Sequence, residues 1–484
     1  MMAKQARSET SAADAWLDAD PKPGYLLTAK RFPPLRLKNM TDTIRHGFIL
    51  VILLLADTLV RADTISLFEE VKPGDLWRYQ IHLDVRGKMI VQREGKNEAL
   101  PIQATGEHEF VERVHAPDAS GGIGMVLRHY LRARSQSESA GEKMIRELAE
   151  NRRLIVAKRS TQGTLHFSPN GPLTQEELEL VAEHFDTLCL PAILPNRELR
   201  EGETWAVPAA VVQHACLFEG LIKHDLVGKL EKVSPEIAEF SLQGTAEGIE
   251  YGAHAKLTIT ARGEYSRKTG RITRLTWEQV DNRQQGPASP ATEMKARVIV
   301  TRTPLEQEPK ELAAEVRTTI PSQEKDFPLA WTQLRYSDRP GRYEIIYGRN
   351  WHIVGRTRDH LVMRLIERGE FVGQATITRW KKADPGQHTN PADFKQVLNQ
   401  LPNWRPEQIL AEGTVPTDPG RWLYRLTVRG QQDGLPVIQS FYLLAGPQGD
   451  QVTVTVIIPQ DQAARLNTQD LELVNAITFP ARVP

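Results

Sequence analysis

From residue 63 onward the chain predicts an α+β, β-rich fold. An antiparallel half-barrel or meander with one or two helices comes first, and a second antiparallel sheet with packed helices follows. Three observations predict it. Apolar residues recur at period two, as where Trp77, Tyr79, Ile81 and Leu83 alternate with Arg78, Gln80, His82 and Asp84. Few windows show helical spacing. Turn signals such as Lys268-Thr269-Gly270 separate the alternating runs and join neighbours as hairpins.

The first module spans 63–303. After the strand carrying Trp77, similar runs fall at 125–134, 154–158, 164–167, 217–232, 238–245, 255–265, 271–280 and 293–301. Two windows have helical spacing, 140–151 and 172–188. The second has Thr174 to cap it, Pro172 for a first turn, and Glu176 and Glu177 near its positive end. Leu178, Val181, Phe185 and Leu188 line one of its faces. Gly74-Asp75-Leu76-Trp77 and Gly202-Glu203-Thr204-Trp205 both read as tight turns into a strand with a buried Trp.

Residues 304–327 are charged and carry Pro304, Pro309 and Pro321, which reads as an interdomain linker. The second module, 328–484, restarts with strands at 342–347, 351–356, 361–367 and 371–381. A helix over 390–399 begins with Pro391 and Asp393, with Phe394, Val397, Leu398 and Leu401 on its apolar face. Strands at 421–429, 435–445 and 451–458 precede a closing helix over 461–475. There is no internal repeat.

Composition and the N-terminal segment speak to compartment. Lys plus Arg number 61 and Asp plus Glu 61, so the formal net charge is zero. This argues against a nucleic-acid partner, which calls for a basic surface. The apolar run 48–56 has Arg45 and His46 before it, with Val60 and Ala62 at the small-residue positions. It reads as a secretory signal peptide, the other reading being a buried core helix. It is shorter than the roughly 20 apolar residues needed to span a bilayer. Residues 1–39 carry Glu9, Asp14, Asp18 and Asp20 and make no n-region, so they read as a disordered or mis-started extension. A start at Met40, a signal peptide over 40–62 and cleavage after Ala62 resolve this. No Cys lies near that point, so no lipobox is expected. The expected location is periplasmic or extracellular, with peripheral membrane association if the leader stays uncleaved.

Two resemblances add to this reading. Tyr343-Glu344-Ile345-Ile346-Tyr347 leading to Trp351, the strand end at Ile377-Thr378-Arg379-Trp380, and the terminal strand before Leu471, Val474, Ile477 and Phe479 make the second module resemble the PsbP-like superfamily. That group includes an extrinsic photosystem subunit and the DcrB-like exported bacterial proteins. The resemblance implies a closing helix packed on the sheet and a final Phe in the core. Pro191-Ala192-Ile193-Leu194-Pro195 and the Gly202–Trp205 step make the first module similar to exported half-barrel domains of unknown function that resemble lipoprotein carriers.

No stretch carries a defended catalytic signature. Gly-x-Ser-x-Gly is absent, and Gly121-Gly122-Ile123-Gly124 lacks the Lys of a phosphate loop. Cys189 and Cys216 form a disulfide or stay as two separately buried thiols. With His214 and His224 they are the best zinc candidate, but the spacing departs from paired-ligand patterns. His352 with His360, and Glu367 with Glu370, are further pairs without a fixed geometry. Arg128, Arg132, Arg134, Arg152, Arg153, Lys158 and Arg159, with His129 and Tyr130, read as solvated strand faces or as a docking patch for an anionic partner. The leading expectation is an exported, non-enzymatic cell-envelope protein that binds a partner protein or ligand and uses no cofactor. One alternative is a carrier of an apolar, lipid-like molecule lined by Trp77, Tyr79, Phe167 and Phe185. A hydrolase with an unrecognised site is the third class.

Overall fold

A computed structural model describes residues 64–480 apart from 94, 119–120, 140, 161–162, 183 and 322–326. The expected extension (1–39) and signal segment (40–62) lie outside the described residues.

The first module is built on long strands. β1 (Ile65–Leu67) is short, but β2 (Leu76–Arg93), β3 (Lys96–Pro117) and β4 (Ile123–Ser139) form a long meander. β5 (Glu142–Glu147), β6 (Leu154–Ser160) and β7 (Gly163–Phe167) continue it. Helix α1 (Gln175–Ala182), strand β8 (Arg197–Leu199), which pairs with β1, strand β9 (Thr204–Ala206), which pairs with β11, and helix α2 (Ala209–Ala215) follow. β10 (Gly220–His224), β11 (Val227–Val233), β12 (Ile237–Glu250), β13 (Ala253–Ser266), β14 (Arg271–Arg283) and β15 (Ala291–Pro304) complete the module. One 13-stranded sheet results, in the order β7-β6-β4-β3-β2-β15-β14-β13-β12-β11-β9, with β5 on β4 and β10 on β12. Its two ends, β7 and β9, do not pair with each other. The pairing of β15 with β2, Val300 opposite Ile81 and Arg302 opposite Tyr79, joins the last strand of the module to its first long one.

Period two sorts the faces. On β13 Ala255, Leu257, Ile259, Ala261 and Tyr265 are buried, while Lys256, Thr258, Thr260 and Arg262 are exposed. The buried side is the inner face, and it carries α1 and α2. α1 is held at its start by a reciprocal cap: Glu177 N donates to Thr174 Oγ1 (3.1 Å) and Thr174 N to Glu177 Oε2 (2.9 Å). The inner face also needs two glycines. A Cβ on Gly263 would meet the Phe240 ring at 2.1 Å, and one on Gly228 the Trp205 ring at 2.1 Å. In both cases the ring lies across its direct cross-strand partner.

Two expectations are corrected, and one long strand goes beyond them. Window 140–151 is not a helix: Gly141 has φ 82° and turns the chain into β5, which pairs back on β4. A positive φ at Gly costs little and sets a tight hairpin, so local geometry overrides the helical spacing. β3 escapes a pattern reading because its first half overhangs the core and is mostly exposed on both faces. The segment 304–327 is more than a tether. Leu312 and Ile320, with Leu305, Val316, Phe327 and Trp331, cover the outer face of β3, β4, β6 and β7 over Val111, Met125, Leu127, Leu154 and Val156. Its apolar residues are spaced too irregularly to show a face until the sheet supplies one.

Helix α3 (Ala314–Arg317) lies in the connecting segment, and helix α4 (Leu329–Thr332) opens the second module. β16 (Leu334–Ser337) pairs with β17 (Glu344–Tyr347), which pairs in turn with the terminal strand in a three-stranded sheet. β18 (Trp351–Arg356), β19 (His360–Glu367), β20 (Glu370–Arg379), β21 (Trp404–Thr414), β22 (Trp422–Gln432), β23 (Leu435–Ala445) and β24 (Gln451–Pro459) form a seven-stranded sheet, ordered β18-β19-β20-β24-β23-β22-β21. α5 (Pro391–Leu398) is capped by Asn390, whose Oδ1 accepts from Ala392 N at 2.9 Å. It packs Phe394 and Leu398 on Tyr424, Leu426 and Phe441. The closing helix is broken at Asn467 (φ 47°) into α6 (Ala463–Leu466) and α7 (Gln469–Asn475), followed by β25 (Ile477–Thr478). Leu473, Val474 and Ile477 are buried, and Phe479 packs partly buried where Gly446 has no side chain.

The two modules share one core. Leu173 bridges Leu334, with Arg335 N donating to Leu173 O at 2.8 Å, and both belong to the same buried cluster as the inner face. Arg349 donates to His166 O (2.5 Å) and Arg364 to Pro287 O (2.5 Å).

Candidate functional site

The inner face beside β2 is filled. Tyr79 stacks on Phe110 at 5.0 Å and Phe185 packs on Trp277 at 4.9 Å, while the Arg302 guanidinium lies 4.9 Å over Trp77. Phe167, expected beside them, is on the opposite face, against Phe327 (4.8 Å) and Trp331 (5.7 Å). The reason is register. Phe167 pairs with Val156, and its neighbour His166 pairs with Ala157. A shift of one residue exchanges the faces of a strand. Cys189 and Cys216 are both buried free thiols, and burial pushes both upward in pKa. Among the described residues no group of three His, Cys, Asp or Glu side chains gathers as metal ligands.

The basic patch does not form as expected. Arg128 and Tyr130 point into the core, Arg152 is buried against the carbonyls of Pro172 (3.3 Å) and Asn170 (2.7 Å), and Arg159 pairs with Asp186 at 3.3 Å. His352 lies opposite Arg364 and His360 opposite Thr378, so the two histidines are not partners. Glu367 and Glu370 are both held by Arg465, at 3.6 and 2.7 Å.

Two ionic contacts are sealed beneath the inner face. Glu112 and Arg128 are both buried, with Arg128 Nε 2.8 Å from Glu112 Oε2 and Arg128 Nη2 2.6 Å from Thr187 Oγ1. Burial raises the Glu112 carboxyl, and Arg128 opposes the rise. Arg302 pairs with Glu69 and also donates to Tyr79 OH at 3.5 Å. Such partnered charges serve packing, since removing either partner leaves the other uncompensated.

Farther along the same face lies a polar group that is not fully partnered. Asp281 and Arg283 project inward from β14, and Thr292 on β15 sits directly opposite Arg283. Arg283 donates to Glu250 Oε1 at 2.9 Å and lies 5.3 Å over the Tyr251 ring. Asp281 is 5% exposed and Thr292 4%, and neither Asp281 Oδ1 nor Thr292 Oγ1 has a hydrogen-bond partner. Burial pushes Asp281 up to about 6 against the pull of Arg283. Burial likewise pushes Glu250 up to about 7, Arg283 opposing and Asp281 adding to the rise. The face then continues onto the overhang of β2 and β3. Met89 lies opposite Thr292 and Leu100, and Ile102 opposite Gly87. Met89, Leu100 and Ile102 are half-buried. A polar floor therefore adjoins an apolar strip open to solvent. One cue was legible: Leu275, Trp277, Gln279, Asp281 and Arg283 keep period two but turn polar partway along the buried side.

The outer face of β11–β15 carries a groove of about 1010 Å³ lined by Glu231, Ser241, Arg262, Thr276, Glu278 and Arg297, among others. Its charges largely answer one another: Glu231 with Lys229 (2.7 Å) and Ser241 (2.6 Å), Glu278 with Arg297 (3.3 Å). Among the described residues no helix is long and apolar enough to cross a membrane.

No family model matches the chain, and no curated protein does. Among solved structures, cyanobacterial PsbP (CyanoP) from Synechocystis sp. PCC 6803 is similar at 16% identity and TM-score 0.25, over 31% of this chain and 92% of its own. The Saccharomyces cerevisiae Ran-binding protein Mog1p is similar at 12% identity and TM-score 0.23, over 30% of this chain and 95% of its own. A lipovitellin structure determined for lipid–protein interactions is similar at 10% identity and TM-score 0.28, over 49% of this chain and 26% of its own. These are weak likenesses of fold.

Proposed function

We propose that this protein is an exported, non-enzymatic binding protein of the cell envelope that takes up a ligand with an apolar chain on the inner face of its large sheet. The observation that carries the reading is the half-buried strip of Met89, Leu100 and Ile102 beside the unpartnered Asp281 Oδ1 and Thr292 Oγ1. Apolar side chains left half-open next to orphaned polar atoms suit an amphiphile better than they suit a finished core. The earlier lining of Trp77, Tyr79 and Phe185 is packed shut, so the ligand seat moves to the overhang. Export is supported by the run 48–56 and the small residues Val60 and Ala62.

The test is native mass spectrometry of the protein made with its own leader in an exporting host, followed by denaturing extraction. The expected result is a mature chain beginning at Asp63 and a released amphiphile of a few hundred daltons. Titration with a fluorescent acyl probe should show saturable binding that Ile102→Arg removes. A protein that binds no acyl chain, or turns over a substrate, defeats the reading.

A further inference from the structure

The polar floor of the inner face has a definite charge and hydrogen-bonding character. Glu250 and Asp281 supply two carboxyl groups, and Arg283 is the guanidinium between them. Arg283 pairs with Glu250 at 2.9 Å and lies 5.3 Å over the Tyr251 ring, while its Nε–H has no hydrogen-bond partner. Asp281 and Thr292 sit on adjacent strands of one face, displaced by one inward-facing position, because Arg283 pairs with Thr292 and Asp281 with Met294. Such diagonal neighbours are about 7–8 Å apart at Cα and within reach of one small group. Both are more than nine-tenths buried, and each presents an oxygen without a partner. Around them stand His184, whose pKa burial and Arg283 lower, Glu219, whose carboxylate accepts from Gly252 N at 3.2 Å, and the buried thiol of Cys216.

We infer that this site selects an amphiphile with a primary ammonium head, seated on Asp281 Oδ1 and Thr292 Oγ1 with its chain along Met89, Leu100 and Ile102. An ammonium offers three donors and no acceptor, which suits two orphaned oxygens. It also offsets the negative charge left when both carboxyl groups ionise around one arginine, a charge that is costly to bury alone. A carboxylate or phosphate head could accept from the partnerless Arg283 Nε–H, but it would add an anion to a site that already holds two carboxyl groups against one guanidinium. A quaternary ammonium has the charge but no donor.

The inference rests on the binding reading above, and one experiment separates the two. Dodecylammonium, dodecyltrimethylammonium and dodecanoate, each below its micelle concentration, are titrated into the mature full-length protein by calorimetry. Dodecylammonium should bind at least about tenfold tighter than either of the others, the size expected of lost charge-assisted hydrogen bonds. Asp281→Asn should remove that preference and Thr292→Val reduce it, while dodecanoate binding holds or strengthens in Asp281→Asn. Because Asp281→Asn is isosteric, an unchanged melting temperature shows that the fold survives, and Thr292→Val is an independent second variant. Equal affinity for all three heads, or a preference that persists in Asp281→Asn, overturns the headgroup inference and leaves the binding reading standing. Binding of none of the three overturns both.

Discussion

Arg302 lies over the ring of Trp77 and pairs with Glu69, so the last long strand of the first module is tied by a buried ion pair to the chain ahead of its first long strand. Glu69 also accepts from Ile272 N at 3.1 Å, which draws β14 into the same contact. The pair therefore closes the most non-local join of the meander, and its loss should be felt globally. Arg302→Met leaves the buried Glu69 carboxylate with only the more distant Arg271, at 4.0 Å, and should cost about 3 kcal/mol. Adding Glu69→Met should recover most of that in urea denaturation. A single variant no less stable than the double would show that the pair does not hold the join.

Asp281 and Glu250 make stability depend on pH in an unusual direction. Their folded-state pKa values, about 6 and about 7, lie above the ordinary 3.8 and 4.5. Between those limits the folded chain holds more protons than the unfolded one, so stability falls as pH rises through the window and levels off above about pH 7. Each group contributes a slope of about 1.4 kcal/mol per pH unit while it titrates. The unfolding free energy of the wild-type protein minus that of Asp281→Asn with Glu250→Gln, measured from pH 5 to pH 8, should show this decline, because buried histidines such as His166 and His352, whose pKa burial lowers, add an opposite slope common to both proteins. A difference that does not change with pH would remove these two carboxyl groups as its source.

Phe240 needs the bare backbone of Gly263. A Cβ there would stand 2.1 Å from the ring, and neighbouring strands leave it nowhere to go. Gly263→Ala should therefore destabilise by roughly 1–3 kcal/mol through overpacking. Phe240→Leu in the same chain should restore part of the loss. Thermal melts of the two single variants and the double decide whether the ring is the cause.

Leu312 is fully buried between the connecting segment and the outer face of the sheet. Leu312→Ala should cost about 2–5 kcal/mol, as for other buried leucines. If 304–327 were only a tether, the same change would be silent in chemical denaturation.

Cys189 and Cys216 are buried thiols with raised pKa values, which suppresses the reactive thiolate. A thiol reagent should find no reactive group in the native protein and two after guanidine unfolding. A disulfide between them would leave none in either state.

Much of the fold was legible in single residues. The alternation of Trp77, Tyr79, Ile81 and Leu83 declared a strand and its buried side, and the structure places that side inward. Asn390 and Pro391 announced a helix start that the structure keeps. These signals are local, written in side-chain period and in caps, so a linear reading recovers them. The sequence by itself determined the β-rich class, the placing of most strands and the two Trp-bearing turns. Tertiary structure alone decided which face Phe167 takes, because that depends on register with Val156 rather than on its own period. It decided that 140–151 turns back as a hairpin at Gly141, and that Leu312 and Ile320 cover a sheet face. It also brought Asp281 and Arg283 beside Thr292 and Glu250, which lie on three different strands. Non-local pairing sets those distances, and no pattern within one strand encodes its partner's register.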